Sequence, residues 1–240
     1  MRRGARLGMI TPSSNTVLEP LTAAMTAGIP DLSTHFSRFA VTEISLSEHG
    51  VRQFNYDDML RAAELLAHAK VDTIAWNGTS ANWLGFDRDE HLCELITRET
   101  GIVSTTTALA YRELLLSKPH TVGLLTPYRA DVQQRILQNW AAAGFPCVAE
   151  RHLDLQDNFS FAEIDKDRIS SIARELVSAG CDSIAILCTN MRGAPIATAL
   201  EAELSCTIYD SVAVTLWKSL LLAGIDPARV TNWGRLFQTK

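Results

Sequence analysis

The sequence predicts an α/β protein of two pseudosymmetric domains, each a parallel four-stranded sheet flanked by helices, with a candidate active site in the cleft between them. Short apolar runs alternate with helical patterns along the chain, which is typical of parallel sheets. Two stretches, Val71–Ser80 and Cys181–Asn190, nearly repeat each other at an offset of 110 residues. Leu7–Ser13 and Val122–Tyr128 form a second pair at an offset of 115 residues. Two repeats in the same order indicate an internal duplication.

The first half begins with an apolar strand over residues 7–10. A helix is expected after Thr16, because Glu19 stands three positions later, as in a capping box. The polar segment over 42–50 is irregular and is a candidate cover for a site. The other elements are a strand over 34–39, a helix with apolar residues at helical spacing over 57–70, the repeated strand within 71–80, a helix over 88–100, a strand over 102–105 and a helix over 108–116.

The second half repeats this order. Gly144 and Gly180 each follow a helical pattern, and glycine commonly stands just past the end of a helix. The predicted elements are a strand within 122–128, a helix over 130–143, a strand over 147–152, a loop over 153–161, a helix over 165–179, the repeated strand within 181–190, a helix over 194–204, a strand over 207–210 and a helix over 211–223.

These elements predict the domain boundaries. The first domain is expected over residues 1–115 and the second over 116–211, with the linker near 112–120. The C-terminal segment, about 212–240, is expected to pack back on the first domain, since Trp233, Leu236 and Phe237 give it large apolar side chains.

Composition excludes several classes of protein. A net charge of −5 argues against nucleic acid as a partner. No apolar run approaches the roughly 20 residues that span a membrane. The apolar stretch after the basic start is too short for a signal peptide, so a cytoplasmic protein is expected. A small-molecule partner is expected, and the chain is a possible homo-oligomer.

The sequence also carries no motif for a metal or a cofactor. Its five cysteines include no Cys-x-x-Cys pair, so a disulfide framework and a zinc site are both unexpected. The first strand is not followed by Gly-x-Gly-x-x-Gly, and the chain has neither a Walker loop nor His-x-x-x-His. The chemistry must then come from a thiol and from hydrogen-bond donors.

The loops after the repeated strands carry the candidate catalytic residues, because ligands of open α/β sheets bind beyond the carboxyl ends of the strands. Cys188 ends the second repeat, at an expected helix N-terminus where backbone N–H groups lower the pKa of a thiol. Gly78 stands at the same place in the first repeat. Thr79, Ser80 and Tyr128 offer hydroxyl groups at neighbouring strand ends. Each of these residues also has a plainer interpretation. Cys188 could be a small buried apolar residue, Thr79 and Ser80 could cap the next helix, and Tyr128 could be a half-buried surface ring.

Four further residues are candidates for substrate binding. Asn15 and Asn158 lie in the loops after the first and sixth strands, where either alone would be read as a turn residue. Thr189 and Asn190 directly follow Cys188, so their backbone N–H groups and side chains are expected to lie near the thiol.

Over essentially its whole length the chain resembles the aspartate/glutamate racemase superfamily, in particular its arylmalonate decarboxylase and maleate cis–trans isomerase branch. The residues that carry this likeness are Thr11–Thr16, Gly78–Ser80, Thr126–Tyr128, Asn158, Cys188 and Gly234–Phe237. The resemblance implies two pseudosymmetric α/β domains with the active site between them and no cofactor.

The racemases of this superfamily carry a cysteine at each of two facing strand ends. Here Cys188 matches the second cysteine and Gly78 takes the place of the first, as in the arylmalonate decarboxylases. Asn15 and Asn158 instead look like the asparagines that hold a substrate carboxylate in the maleate isomerases. Gly78 is therefore expected to be the vacant half of a two-base site, unless its backbone conformation requires glycine.

One thiol favours a cofactor-independent decarboxylase of a small substituted malonate-type acid. Loss of CO2 leaves an enediolate, which Cys188 protonates, while Thr79, Ser80, Tyr128 and backbone N–H groups stabilise its oxygens. Asn15 and Asn158 suggest a substrate more polar than an aryl malonate. Two alternatives are open: a maleate-type cis–trans isomerase or amino/hydroxy-acid racemase with a single thiol, and a carboxylate-binding protein without turnover.

Overall fold

Two parallel four-stranded sheets, flanked by helices, form the framework of the protein. The structure, a computed structural model, describes residues 4–117 and 121–239. The first sheet has the order β2-β1-β3-β4 and contains β1 (Ala5–Pro12), β2 (Leu32–Phe39), β3 (Thr73–Trp76) and β4 (Ser104–Thr106). The second has the order β6-β5-β7-β8 and contains β5 (Val122–Thr126), β6 (Ala149–His152), β7 (Ser183–Ile186) and β8 (Thr207–Asp210). The predicted fold class is confirmed, since the two sheets have the same strand order.

The helices connect the parallel strands. Those of the first half are α1 (Leu18–Thr26), α2 (Glu48–Arg52), α3 (Tyr56–His68), α4 (Ala81–Leu84), α5 (Phe86–Thr100) and α6 (Thr107–Leu116). Those of the second half are α7 (Ala130–Ala142), α8 (Lys166–Ser178), α9 (Ala194–Leu204) and α10 (Ser211–Leu222), with short 3-10 turns at Ser160–Glu163, Pro227–Arg229 and Arg235–Gln238. Within the described residues, no helix is long and apolar enough to cross a membrane.

The start of α1 differs from the predicted capping box. The side-chain oxygen of Asn15, and not of Thr16, accepts hydrogen bonds from the backbone N–H groups of Val17 and Leu18, each at 2.9 Å. Glu19 turns away and pairs with Arg38 at 2.8 Å. The capping-box prediction was wrong because an asparagine one position earlier supplies the acceptor that these N–H groups need.

The segment over 42–50 also has more structure than was predicted. Its end belongs to α2, and Glu43 forms an isolated antiparallel bridge with Asp157 of the second half. The backbone N–H of Ile44 donates to the carbonyl of Gln156 at 2.9 Å, and that of Asn158 donates to the carbonyl of Thr42 at 2.9 Å. The segment over 42–50 and the loop over 153–161, for which no strand was predicted, thus form hydrogen bonds with each other across the two halves.

The C-terminal segment contacts both halves. α10 packs against α1 and α6, and the hydroxyl oxygens of Thr107 and Thr215 lie 2.7 Å apart. The tail beyond α10 binds α9, because the backbone N–H of Arg235 donates to the Glu201 carboxylate at 2.7 Å. The domain boundaries at 115 and 211 stay a prediction, and residues 118–120 of the expected linker lie outside the described residues.

Candidate active site

A small cavity lies at the carboxyl ends of β1, β3, β5 and β7, between the two halves. The unfilled space between its lining atoms is about 280 Å³ with the open solvent at its mouth included, and the centre of a water molecule can reach about 20 Å³ of it. Its lining residues are Pro12, Val41, Ile44, Phe54, Trp76, Gly78, Thr79, Ser80, Trp83, Tyr128, Asn158, Cys188 and Thr189. Residues from both repeats therefore share one cavity. A larger surface groove between α3 and α5 contains none of these candidate residues.

A chain of three side chains crosses this cavity from one half to the other. The Thr79 hydroxyl lies 2.7 Å from the hydroxyl of Tyr128, which is also hydrogen-bonded to the Cys188 thiol. All three side chains are buried. Ser80 lines the cavity, and its carbonyl accepts the backbone N–H of Leu84 at 2.9 Å, at the start of α4. The two hydroxyls and the thiol thus form one connected group next to the open space.

The Cys188 thiol is protonated at neutral pH. Burial raises its pKa to about 12, although the backbone N–H of Asn190 and the Tyr128 hydroxyl act in the opposite direction. The N–H of Asn190 reaches the sulfur at 3.4 Å. The sequence-based expectation of a lowered pKa was wrong, because α9 begins only at Ala194 and desolvation outweighs the local N–H groups. Burial also raises the pKa of Tyr128 well above its ordinary value. In its protonated form this thiol can donate a proton to a carbanion that forms beside it.

Asn15 joins the loop after β1 to the loop after β7. Its side-chain amide donates to the carbonyl of Thr189 at 3.0 Å and lies 3.2 Å from the Thr189 hydroxyl. That hydroxyl donates to the carbonyl of Asn77 at 3.1 Å, directly before Gly78. Because its oxygen also caps α1, the Asn15 side chain is fully engaged within the protein. Substrate binding by Asn15 stays a proposal.

Asn158 and Asn190 form a second connection between the halves. The Asn190 amide donates to the carbonyl of Asn158 at 2.6 Å, and its oxygen accepts the backbone N–H of Thr16 at 3.0 Å. The Asn158 amide donates to the Ser14 hydroxyl at 2.7 Å. Asn158 lines the cavity, whereas Asn190 does not. The predicted binding residues therefore also serve to position the loops.

Gly78 is packed against a tryptophan ring. A Cβ atom added at Gly78 would lie 2.0 Å from Cζ2 of Trp76 and 2.7 Å from its Nε1. Gly78 is not among the glycines with positive φ, so its backbone does not itself demand glycine. The expectation of a vacant position is therefore corrected: the Trp76 indole fills the place next to Gly78.

Aromatic side chains pack around the cavity, and this feature was not predicted from the sequence. The ring of Trp76 lies 5.0 Å from that of Phe39 and 6.4 Å from that of Phe54, measured between centroids. The ring of Trp83 lies 5.2 Å from that of Tyr128. One signal was available, because side chains two positions apart in a strand share a face, and Trp76 stands two before Gly78.

No group of three or more histidine, cysteine, aspartate or glutamate side chains arranged to hold a metal ion occurs among residues 4–117 and 121–239. The charged side chains of these ranges also lie outside the cavity lining. Any anion bound here would be held by neutral donors.

The fold and cavity are those of two-domain α/β proteins with a thiol at the cleft between two halves of the same strand order. Similar solved structures include the Nocardia farcinica maleate cis–trans isomerase with a covalently bound succinylcysteine intermediate, in a variant with one cysteine replaced by serine (TM-score 0.87, 23% identity, 98% of this chain and 99% of that chain). Arylmalonate decarboxylase is also similar (TM-score 0.78, 21% identity, 98% and 100%). These similarities extend over the whole fold.

The chain belongs to the arylmalonate decarboxylase family, whose model matches residues 7–237. Its curated relatives include maleate isomerases. The enzyme from Pseudomonas putida is 24% identical over 235 residues, covering 92% of this chain and 93% of that protein. The enzyme from Nocardia farcinica is 24% identical over 242 residues, covering 97% and 95%. Family and relatives support an enzyme, and the relatives favour the isomerase alternative over the decarboxylase prediction.

Proposed function

We propose that the protein catalyses cofactor-independent proton transfer to a carbon next to a carboxylate, and that its reaction is the decarboxylation of a small malonate-type acid. The observation that carries the proposal is that Cys188 is the one thiol among the cavity residues, protonated and hydrogen-bonded to Tyr128. The cavity residues supply no second thiol to act on the opposite face.

The steps balance with the residues present. The bond between the α-carbon and one carboxylate breaks, its electron pair stays on the α-carbon, and CO2 leaves. The second carboxylate takes up that charge as an enediolate, whose oxygens accept hydrogen bonds from the hydroxyls of Thr79, Ser80 and Tyr128. The thiol proton of Cys188 moves to the α-carbon, and water returns a proton to the sulfur. Because the thiolate is strongly basic, the thiol is restored after each turnover.

Maleate isomerisation is the second candidate, and the curated relatives favour it. In the Nocardia farcinica enzyme a succinyl group is bound to a cysteine, so that enzyme uses a nucleophilic thiol. Here the site of the first cysteine is Gly78, and the remaining thiol has a raised pKa, which makes it a poor nucleophile at neutral pH. An isomerase of this sequence would need Cys188 itself to attack the double bond.

A single assay separates the two candidates. The protein is incubated in deuterated water with methylmalonate, phenylmalonate or maleate, and products are followed by proton NMR. We expect CO2 loss from a malonate with one deuteron at the α-carbon of the product. Formation of fumarate from maleate, without CO2 loss from any malonate, would establish the isomerase instead.

The thiol is tested in the same assay with Cys188→Ser. A serine hydroxyl is a far weaker acid than a thiol, so we expect turnover to fall at least about 100-fold. Cys93→Ser, at a cysteine outside the cavity, is the matched control and should retain the parent rate. Full activity of Cys188→Ser would exclude the thiol as the proton donor.

A further inference from the structure

Two tryptophan side chains in the cavity have indole N–H groups without an acceptor in the protein. Nε1 of Trp76 and Nε1 of Trp83 are both buried, and neither has a hydrogen-bond partner among the described residues. Both residues line the cavity that holds Cys188. A buried N–H without a partner is destabilising, so such a group in a native protein calls for an explanation.

Trp76 has an equivalent position in the second half of the sequence. The repeat that aligns Gly78 with Cys188 also aligns Trp76 with Ile186. One half thus pairs a large ring with glycine, and the other pairs an isoleucine with cysteine. The ring edge that contains Nε1 lies against Gly78, where an added Cβ would be 2.7 Å from that nitrogen. The N–H is therefore at the end of β3 that borders the cavity.

We propose that Trp76 replaces the missing thiol as a substrate-binding residue, and that its indole N–H, together with that of Trp83, donates to the oxygens of a substrate carboxylate. This inference rests on the proposed function and names how the carboxylate is recognised. The cavity contains neutral donors and no charged side chain, so two indole N–H groups match the two acceptor oxygens of a carboxylate. The ring also leaves no space for an acid–base side chain on the Gly78 face, which restricts proton transfer to the Cys188 face.

The wild-type protein allows a direct test, because its five tryptophans give five indole N–H signals in a nitrogen–proton NMR spectrum. Malonate, phenylmalonate and maleate are titrated in turn. We expect the signals of Trp76 and Trp83 to move on binding while that of Trp217 stays in place, since the Trp217 N–H already donates to the carbonyl of Thr239 at 3.1 Å. Signals are assigned by tryptophan-to-phenylalanine variants, and Trp76 is assigned by exclusion if Trp76→Phe does not fold.

Affinity gives the second measurement. Trp76→Phe removes one hydrogen bond from a neutral donor to a carboxylate. We therefore expect the Kd of the diacid to rise about 10-fold in this variant. Trp217→Phe is the matched control and should bind as the parent does. A Trp76 signal that does not move at saturating diacid, an unchanged Kd in a folded Trp76→Phe, or no binding of any of the three probes would overturn the inference.

The result is separable from the proposed function. A moved Trp76 signal and weaker binding in Trp76→Phe, without CO2 loss from any malonate, would support the carboxylate site and overturn decarboxylation. CO2 loss in the parent with binding unchanged in Trp76→Phe would support decarboxylation and overturn the role of Trp76.

Discussion

At the scale of single residues, the cavity combines a proton donor with a hydroxyl that touches it. The Tyr128 hydroxyl contacts both the Cys188 thiol and Thr79, the latter at 2.7 Å. Burial keeps the phenol and the thiol in their neutral forms. A neutral hydroxyl stabilises charge that develops in the transition state without introducing a fixed charge into the cavity.

Tyr128→Phe removes this hydroxyl and little volume. We expect kcat to fall roughly 100-fold, because one donor to a developing oxyanion is worth about that factor. Tyr56→Phe is the control, since the Tyr56 hydroxyl donates to the carbonyl of Arg88 at 3.3 Å, outside the cavity. Steady-state rates of both variants on the malonate that turns over best give the answer. An unchanged kcat/KM would remove Tyr128 from the mechanism.

Gly78 gives a second prediction at this scale. Gly78→Cys alone should be destabilised, because its Cβ would lie 2.0 Å from the Trp76 ring. The double variant Trp76→Ala/Gly78→Cys removes that clash, so we expect it to exchange the α-proton of a chiral product acid in deuterated water. The parent and Trp76→Ala, each with one cavity thiol, are the controls. A folded double variant that binds the product acid at saturation and exchanges no proton would show that positions 78 and 188 do not flank one carbon.

At the scale of elements, the loops after β3 and β7 are held in place by bonds between the halves. The Thr189 hydroxyl donates to the carbonyl of Asn77 and lies 3.2 Å from the Asn15 amide. The loop that carries Cys188 is thereby bound to the loop that carries Gly78. We therefore expect these bonds to help fix the spacing between the thiol and the Thr79 hydroxyl.

Thr189→Val keeps the shape of the side chain and removes these bonds. We expect the free energy of unfolding to fall by about 1–3 kcal/mol, because the buried carbonyl of Asn77 loses its partner, and we expect kcat to fall as well. Thr97→Val, at an exposed position on α5, should change stability by less than about 0.5 kcal/mol. Urea unfolding followed by circular dichroism measures both. Equal stability of Thr189→Val and the parent would mean that the loops are held by other contacts.

Most strands and helices could be predicted from the sequence. The spacing of apolar residues differs between strands and helices, and it can be read within each short segment of the chain. The repeats also located Gly78 and Cys188, since each ends a strand at the same place. The helix after Thr16 was predicted, but its capping residue was not: Asn15 accepts from Val17 and Leu18, and spacing alone did not separate it from Thr16, because both residue types cap helices. The role of Trp76 was missed for a similar reason: an apolar residue at a strand end looks like core until its N–H is found without a partner.

At the scale of the whole molecule, the cavity is closed over by loops from both halves. Only about 20 Å³ of it is accessible to the centre of a water molecule, which suffices for about one water and not for a diacid. Val41, Ile44 and Phe54 come from the segment that follows β2, and the bridge between Glu43 and Asp157 joins that segment to the second half. We therefore expect this segment to move outward when substrate enters.

A disulfide across the bridge tests this movement. Residues paired in an antiparallel bridge have Cα atoms about 4.5–5.5 Å apart, within the roughly 4.4–6.8 Å that a disulfide spans. Glu43→Cys/Asp157→Cys should therefore form a disulfide on oxidation and hold the cavity closed.

We expect the oxidised double variant to lose most of its turnover and to regain it with dithiothreitol, because the substrate can reach Cys188 only when the segment opens. Each single variant, oxidised and reduced in the same way, controls for damage to Cys188. If the oxidised protein turns over substrate at the rate of the reduced one, entry does not require the segment to separate from the second half.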